Sequence, residues 1–227
     1  MKQIYKSLDE QQKQLIERHL DLIIDVNKHL NLTRIQTRES GQILHVEDSL
    51  SALPEMKKAP QGLWVDLGSG AGYPAIPLSI ALHRNVLLVD SVKKKMAAMD
   101  SVIKQLNLSN MVTTYNGRVE ELARVHSSEF FVVTARAITN LASLLELASP
   151  LLALHGQLIA FKGSQSSEEI EQAKTSADKT GMALVSQRDF VLSDGISTRS
   201  ILVYEKMSEP RITLPRRNGM AQKRPFC

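Results

Sequence analysis

The feature that most constrains this chain is a regular alternation of short apolar runs with helix-length segments between residues 63 and 206. Each run is rich in β-branched residues and too short for a buried helix, which is typical of a buried strand. Because strands separated by helices pair in parallel and are covered on both faces, we predict an α/β domain with a mostly parallel sheet. The runs occupy residues 63–67, 85–90, 111–115, 130–135, 156–161, 183–192 and 199–206.

The last two runs are joined only by "SDGIST" (193–198), which is too short for a helical crossover. We therefore predict that they pair antiparallel, after a helix near residues 167–179. The result is a seven-stranded, mostly parallel sheet in which an antiparallel pair closes five parallel strands. In order and spacing this block resembles the class I methyltransferases, and the resemblance implies their Rossmann-like fold.

The first sixty residues carry a helical pattern instead. Apolar side chains recur every three or four positions over residues 8–30, as expected of an amphipathic helix. A second helix is predicted over residues 39–52, because a proline such as Pro54 disfavours helix immediately before it. We therefore predict an N-terminal helical cap over residues 1–60 and a methyltransferase-like domain over residues 61–207.

Positive charge is concentrated at the end of the sequence. The chain has 28 Lys and Arg and 24 Asp and Glu; five of the basic residues and no acid follow Glu209, so residues 1–209 carry a net charge of −1. A solvated, disordered terminus is one interpretation of residues 208–227. A basic arm that binds a polyanion is the other, since Lys and Arg bind nucleic-acid phosphates without reading sequence.

Length and composition exclude several classes of protein. A chain of 227 residues buries roughly 70% of its unfolded surface and folds without cross-links. Its one cysteine, Cys227, is the final residue, so we expect no disulfide framework, thiolate metal site or internal thiol nucleophile. No signal-peptide core and no run of about 18 apolar residues is present, so we expect a cytoplasmic protein with no membrane partner and no metal.

The segment "LWVDLGSGAGYP" (63–74) leaves a predicted strand and enters a helix. Gly68, Gly70 and Gly72 would let backbone N–H groups approach a ligand without intervening side chains. A tight structural turn would use the same glycines, so the pattern alone does not identify a ligand.

Two residues of this segment that are not glycine discriminate between cofactors. The dinucleotide fingerprint requires a third glycine at the position of Tyr73. Asp66 places negative charge beside the loop, which would repel a pyrophosphate and attract an amino group or a sulfonium. The loop therefore favours S-adenosylmethionine over NAD.

Acidic residues at the ends of the next two strands are further candidates. Asp90 ends the second strand, where a carboxylate can accept hydrogen bonds from ribose hydroxyls. Capping the following helix is the alternative role for Asp90, and Ser91 could do the same. Glu120 follows the third strand and could border an adenine, or it could be a solvated acid in the first turn of a helix.

The fourth strand ends in "VVTARAITN" (132–140), where this architecture usually meets the methyl acceptor. It lacks the Asn/Asp-Pro-Pro-Tyr/Phe motif with which similar enzymes hold an exocyclic amine, and no internal thiol is available to attack a pyrimidine. Guanine N7 fits, because its lone pair is free at neutral pH and no proton must leave. Arg136 is the candidate to orient it, with a guanine O6/N7 edge or a cofactor carboxylate as partner, while a surface salt bridge is the alternative.

Taken together, these segments identify a family. The chain resembles the GidB-type 16S ribosomal RNA guanine-N7 methyltransferases along nearly its whole length. The resembling segments are "NLTRI" (31–35), "HVEDSL" (45–50), "VDLGSGAGYPAIPLSI" (65–80), "LLVDSVKKK" (87–95), "NGRVEEL" (116–122), "TARAI" (134–138), "GQLIAFKG" (156–163) and "LPRRNGMAQKRPF" (214–226).

The resemblance implies that S-adenosylmethionine methylates one guanosine in the 530 loop of small-subunit ribosomal RNA. It implies cofactor contacts from Gly68, Tyr73, Val119 and Glu120, with Arg136 at the fourth-strand edge of the same site. Asn31, His45, Asp48 and Ser49 match family positions near the acceptor pocket. The basic arm would bind RNA phosphates through Arg216, Arg217, Lys223 and Arg224.

Three other functions stay open at this point. An NAD-dependent oxidoreductase is disfavoured by Asp66 and Tyr73. A small-molecule methyltransferase would share the glycine loop without needing the arm, so deleting residues 211–227 should leave its activity unchanged. A non-catalytic binding protein, for instance one acting in cell division, would transfer no methyl group.

Overall fold

The computed structural model describes Tyr5, residues 7–165 and residues 167–226. Cys227, on which the expectations about thiol chemistry depend, lies outside the described residues. The chain begins with helices and continues as alternating strands and helices, as the sequence predicts. The early helices are α1 (Glu10–Leu30), α2 (Arg38–Gly41), a π-helix (Gln42–Glu47), α3 (Asp48–Leu50) and α4 (Leu53–Lys58).

Seven strands form one sheet. The elements that follow the early helices are β1 (Trp64–Leu67), α5 (Ala75–Leu82), β2 (Val86–Asp90), α6 (Lys93–Gln105), β3 (Val112–Asn116), α7 (Val119–Val125), β4 (Phe130–Arg136), α8 (Leu141–Ala148), β5 (Leu152–Lys162), α9 (Ser167–Thr180), β6 (Met182–Val191), β7 (Thr198–Lys206) and α10 (Met220–Lys223). The strand order is β3-β2-β1-β4-β5-β7-β6. Strands β1 to β5 pair in parallel, and β7 lies antiparallel between β5 and β6. The predicted fold class is confirmed.

Each face of the sheet buries a hydrophobic core. Ile16 and Ile23 of α1 pack with residues of α5 and α6 on one face, so the N-terminal helices are joined to the sheet by apolar contact. Residues of α7, α8 and α9 form the core of the other face, and Ala221 of α10 joins them. Burial on both faces explains why the central strands read as continuous apolar runs.

The structure differs from the prediction over residues 39–52. The residues are helical, but Gln42–Glu47 adopts the wider π form, in which the N–H of Asp48 bonds to the carbonyl of Ile43. Pro54 lies in the first turn of α4, where its missing N–H costs nothing, so it begins a helix and does not end one. Insertions of this π type concentrate at functional sites.

Candidate functional site

The glycine loop between β1 and α5 lies at the carboxyl edge of the sheet. Gly68, Gly70 and Gly72 have φ angles of 66°, 52° and 81°, a region that side chains disfavour. The N–H of Gly72 donates to the carbonyl of Ser69 (2.8 Å), which closes a tight turn. The turn itself therefore requires these glycines, whether or not a ligand also approaches the loop.

A cavity of about 240 Å³ opens beside this loop. It collects residues that follow four different strands, as expected at the carboxyl edge of a parallel sheet. Four predicted cofactor residues line it, namely Gly68, Asp90, Val119 and Glu120. The remaining lining residues are Val89, Ser91, Gly117, Arg118, Ile138, Leu147 and Gln222. We call this the cofactor cavity.

Asp90 connects the glycine loop to the second strand. Its Oδ2 accepts from the N–H of Gly70 (3.1 Å) and its Oδ1 from the N–H of Val92 (2.9 Å). The carboxylate thus holds the loop and also satisfies an N–H at the start of α6. Because each carboxylate oxygen has further acceptor capacity, these bonds leave room for a ribose hydroxyl.

Glu120 has a partner that the sequence did not suggest. Its Oε1 accepts a 2.5 Å hydrogen bond from the N–H of Gly219, and the residue is buried. Its carboxylate is therefore engaged by the C-terminal part of the chain, although the residue still lines the cofactor cavity. Glu120 is therefore not the solvated first-turn acid that was one of its two predicted roles.

Asp66 is fully buried beneath the loop. Its Oδ1 accepts from the hydroxyl of Thr134 (2.6 Å), which in turn accepts from the indole N–H of Trp64 (3.0 Å). Its Oδ2 is buried without a hydrogen-bonding partner among the described residues. Burial raises the pKa of Asp66 from 3.8 to about 7, against the opposing effect of the Thr134 hydrogen bond.

This pKa predicts an unusual pH dependence of stability. The folded state holds a proton that the unfolded state releases, so raising the pH from 3.8 to about 7 favours unfolding. Relative to Asp66→Asn, wild type should lose on the order of 2–4 kcal/mol of unfolding free energy over that range, with no further loss above it. Urea unfolding monitored by Trp64 fluorescence at several pH values measures the difference. Parallel pH profiles for the two proteins would contradict the assignment.

The structure does not place Tyr73 on the cofactor cavity. Its ring is buried between two histidines of the N-terminal helices, parallel to His45 at 4.3 Å and tilted against His19 at 4.5 Å between ring centroids. His19 Nε2 also lies 3.1 Å from the carbonyl of Ala71. Tyr73 therefore joins the glycine loop to the cap, and its predicted cofactor contact stays a prediction.

Arg136 lies on a second cavity, of about 350 Å³, at the same edge of the sheet. Its Nη1 donates to the carbonyl of Leu44 and to Asp48 Oδ2, both at 3.0 Å, and its Nη2 lies 3.1 Å from His45 Nδ1. Asp48 Oδ1 accepts from Arg199 Nε (3.1 Å). We call this the acceptor cavity. The residues lining it are Ile35, Leu44, His45, Asp48, Arg136, Ala137, Phe161, Lys162, Gly163 and Arg199.

His45 is neutral at physiological pH. Burial, with the nearby charge of Arg136, lowers its pKa to about 3. Because Arg136 Nη2 can only donate, His45 Nδ1 accepts, which leaves the proton on Nε2, 3.0 Å from the Thr33 hydroxyl. Both ring nitrogens are therefore occupied, and the imidazole acts as a fixed wall of the cavity.

The other cap candidates are less accessible. Ser49 is fully buried and its hydroxyl donates to the carbonyl of His45 (2.6 Å), so it supports the helix, and its predicted RNA contact stays a prediction. Asn31 is exposed and adopts a left-handed conformation, with φ 47°, at the end of α1. An RNA contact by Asn31 stays a prediction.

The C-terminal residues pack against the domain. The guanidinium of Arg216 binds the buried carboxylate of Glu146, with Nε at 2.6 Å from Oε1, and stacks 4.1 Å from the ring centroid of Phe226. Arg216 is therefore engaged within the protein, unlike a free phosphate-binding cation. The side chains of Arg217, Lys223 and Arg224 are exposed.

Two site residues were missed because they lie far along the chain. Arg199 is the second residue of β7, and no pattern around it indicates a ligand. Gln222 of α10 lies within the segment "LPRRNGMAQKRPF" (214–226), but only the basic residues of that segment were given a role. Lys162 belongs to the "GQLIAFKG" segment that carried the resemblance, although no role was predicted for it. It pairs with Glu169 (2.6 Å).

A strand order of β3-β2-β1-β4-β5-β7-β6 with β7 antiparallel, and a cavity on the glycine loop at the carboxyl edge, is typical of the class I methyltransferases. Solved structures share this fold: an O-methyltransferase from Bacillus cereus is 18% identical, with a TM-score of 0.59 over 83% of this chain and 90% of that chain. The YcgJ protein from Bacillus subtilis is 12% identical, with a TM-score of 0.55 over 70% of this chain and 99% of that one.

The chain belongs to the family described as rRNA small subunit methyltransferase G, whose model matches residues 12–200. A ribosomal RNA small subunit methyltransferase G from Carboxydothermus hydrogenoformans is 37% identical over 97% of this chain and 94% of the relative. A protein of the same description from Streptococcus suis is 33% identical over 96% of this chain and 93% of the relative. The predicted family and enzyme class are confirmed, and the oxidoreductase alternative is not supported.

Two further observations bear on the expected absences. Within residues 7–165 and 167–226, with Tyr5, no three His, Cys, Asp or Glu side chains are grouped to hold a metal ion. No helix in the same part of the chain has the length and apolarity needed to span a bilayer.

Proposed function

We propose that this protein transfers the methyl group of S-adenosylmethionine to N7 of a guanosine in the 530 loop of 16S ribosomal RNA. One observation carries the proposal. Consecutive residues at the end of β4 and just after it line the two cavities: Arg136 and Ala137 line the acceptor cavity, and Ile138 lines the cofactor cavity. A donor and an acceptor bound in them would meet at that strand end.

The cofactor cavity suits S-adenosylmethionine. A Cβ at Gly68 would lie 3.0 Å from Ile138 Cδ1, so the approach past the loop depends on glycine. Asp66, buried with one unpartnered oxygen two residues before Gly68, has a pKa raised to about 7 by burial, and a cationic ligand bound nearby would favour its charged form. Asp90 and the apolar side chain of Val119 would hold the nucleoside. When bound, S-adenosylmethionine supplies an activated methyl group on its sulfonium.

The acceptor cavity suits a nucleophile that needs no base. Among the described residues that line it, His45 has both nitrogens occupied, and Asp48 binds Arg136 and Arg199. Neither is free to remove a proton from an exocyclic amine or a hydroxyl. Guanine N7 loses no proton on methylation, so orientation of the base is what the cavity must provide.

The rest of the chain would bind the RNA. We infer that residues 1–60 form a cap over the acceptor, that residues 61–207 hold the cofactor, and that exposed cations within residues 208–227 bind phosphates. Asn31, Arg217, Lys223 and Arg224 are the proposed contacts. The small ribosomal subunit in the cytoplasm is the proposed setting.

The test is methyl transfer to RNA that lacks the modification. We expect label from S-adenosylmethionine to appear in naked 16S ribosomal RNA or in 30S subunits, at one guanosine of the 530 loop, mapped by chemical strand cleavage at N7-methylguanosine. Label on an exocyclic amine or a ribose would overturn the acceptor assignment. Transfer only to small molecules would support the small-molecule alternative.

The contribution of the exposed cations to RNA binding can be tested by substitutions that remove their charge and keep a polar side chain. Changing Arg217 and Lys223 to glutamine should weaken binding to 16S RNA and reduce the slope of log affinity against log salt by about 1 to 2, because each phosphate contact releases counterions. Filter binding at several salt concentrations measures this slope. The matched control changes Lys104 and Lys174, exposed lysines of α6 and α9, to glutamine. Equal slopes for the two double variants would contradict the proposed contacts.

Deleting residues 211–227 is no longer a clean test of RNA binding. The deletion would also remove the partners of Glu120 and Glu146, two buried acids. Uncompensated buried charges cost several kcal/mol, so the truncated chain would lose stability whatever its substrate.

A further inference from the structure

The C-terminal segment, defined as residues 211–226, forms one side of the cofactor cavity. Gln222 of α10 lines the cavity together with Val119, Glu120 and Leu147. Gln222 lies 75 positions after Leu147, the last of these residues along the chain. One wall of the cavity therefore comes from a segment for which the sequence, through its positive charge, predicts only RNA binding.

Buried polar contacts hold this segment in place. The N–H of Gly219 donates to Glu120 of α7, and the hydroxyl of Ser143 in α8 donates to the carbonyl of Ala221 (2.6 Å). Ser143 and Ala221 are both buried. Since α7 and α8 both contribute to the cofactor cavity, the segment is bonded directly to the elements that form the site.

Side chains on the outer surface reinforce the same placement. Asn218 Nδ2 donates to Glu121 Oε1 (2.7 Å), and Arg124 Nη1 donates to Asn218 Oδ1 (3.0 Å). Arg216 binds Glu146, which is only 2% exposed. A segment fixed at this many points holds the backbone of Gln222 beside the cavity before the ligand arrives, which lowers the ordering cost of binding.

Gln222 has the chemistry to hold a nucleoside. Its amide offers two N–H donors and a carbonyl acceptor, which matches the donor and acceptor groups along the edge of adenine. Val119 and Leu147 supply apolar walls beside it. One oxygen of the Glu120 carboxylate already accepts from Gly219, and Gln222 is the one side-chain amide among the described lining residues, so it alone there offers two N–H donors and a carbonyl acceptor to a base.

We propose that Gln222 binds the adenosine part of S-adenosylmethionine, and that the C-terminal segment is a wall of the cofactor cavity as well as a carrier of RNA-binding cations. The proposal rests on the proposed function for the identity of the ligand. It makes the affinity for cofactor depend on the segment even when no RNA is present.

The test is calorimetric titration of the full-length protein with S-adenosylmethionine and with S-adenosylhomocysteine, without RNA. Gln222→Ala should weaken both ligands by about threefold to tenfold, the value of one or two hydrogen bonds. Both ligands should respond alike, because they share adenosine. The matched control is Gln105→Ala, the same substitution at an exposed glutamine of α6 that does not line the cavity.

The outcomes separate the two proposals. If wild type binds S-adenosylmethionine and Gln222→Ala binds it as tightly as Gln105→Ala does, the inference about Gln222 is overturned and the proposed function stands. A Gln222→Ala effect on S-adenosylmethionine alone would place Gln222 at the sulfonium and overturn the adenosine assignment. Failure of wild type to bind either ligand would overturn both proposals.

Discussion

Replacing Arg136 with alanine is expected to slow methyl transfer by on the order of 100-fold while leaving S-adenosylmethionine affinity within about threefold of wild type. The guanidinium joins β4 to Leu44, His45 and Asp48, so its loss frees the cap from the strand end between the two cavities. Misplacing an acceptor by about 1 Å costs this much in rate. Single-turnover methylation and calorimetry measure the two effects separately.

Arg188→Ala is the matched control for this variant. Arg188 of β6 also ties the sheet to the N-terminal helices, through Glu55 (2.7 Å) and the carbonyl of Ser51 (2.6 Å), but it lines neither cavity. Both variants should lose stability, and only Arg136→Ala should lose activity below its unfolding transition. Equal activity losses would assign Arg136 a purely structural role.

Gly72→Ala should destabilise the fold by about 2–4 kcal/mol. Part of this cost is the left-handed backbone, with φ 81°, which a Cβ disfavours by about 1–2 kcal/mol. The rest is overpacking, because the new Cβ would lie 2.5 Å from Ile76 Cδ1 and 3.2 Å from His19 Nε2. Ile76 and His19 are both fully buried and have little room to move.

Gly70→Ala separates these two costs. Gly70 has φ 52°, and the nearest atom to its Cβ would be the carbonyl oxygen of Gly68 at 3.8 Å. It should therefore pay the backbone cost of about 1–2 kcal/mol without the overpacking. Urea unfolding of the two variants, monitored by Trp64 fluorescence, gives the difference. Equal free energies of unfolding would show that the close contacts with Ile76 and His19 carry no cost.

Much of the fold was predictable because the dominant signals are local. Alternating apolar runs locate every strand, and the short connection before β7 predicts its antiparallel pairing. The prediction over residues 39–52 failed in detail because hydrophobic period does not distinguish a π turn inserted among α turns. The role of that stretch is visible only in the structure, where Leu44 and Asp48 accept hydrogen bonds from Arg136 of β4.

The candidate site was predictable where it follows strand ends. Gly68, Asp90, Val119 and Glu120 meet at one cavity because parallel strands bring their carboxyl ends to one edge. Tyr73 belongs to the same loop but turns towards His19 and His45, a choice set by helices more than twenty residues away in sequence. Arg199 and Gln222 reach the two cavities only because distant parts of the chain fold back to them. The motif that contains Gln222 indicated RNA binding through its positive charge and gave no sign of a place beside the cofactor cavity.

The reversed direction of β7 has a consequence for the carboxyl edge of the sheet. Because β7 runs against β5, its first residues and the turn from Leu192 to Ser197 lie at the carboxyl edge, where the backbone of Ser193 donates to Glu47 of the cap (2.6 Å). Surface turns tolerate changes of length that strands do not. A change in the length of this hairpin would therefore alter the carboxyl edge beside the acceptor cavity, to which Arg199 contributes, while β1 to β4 keep their register.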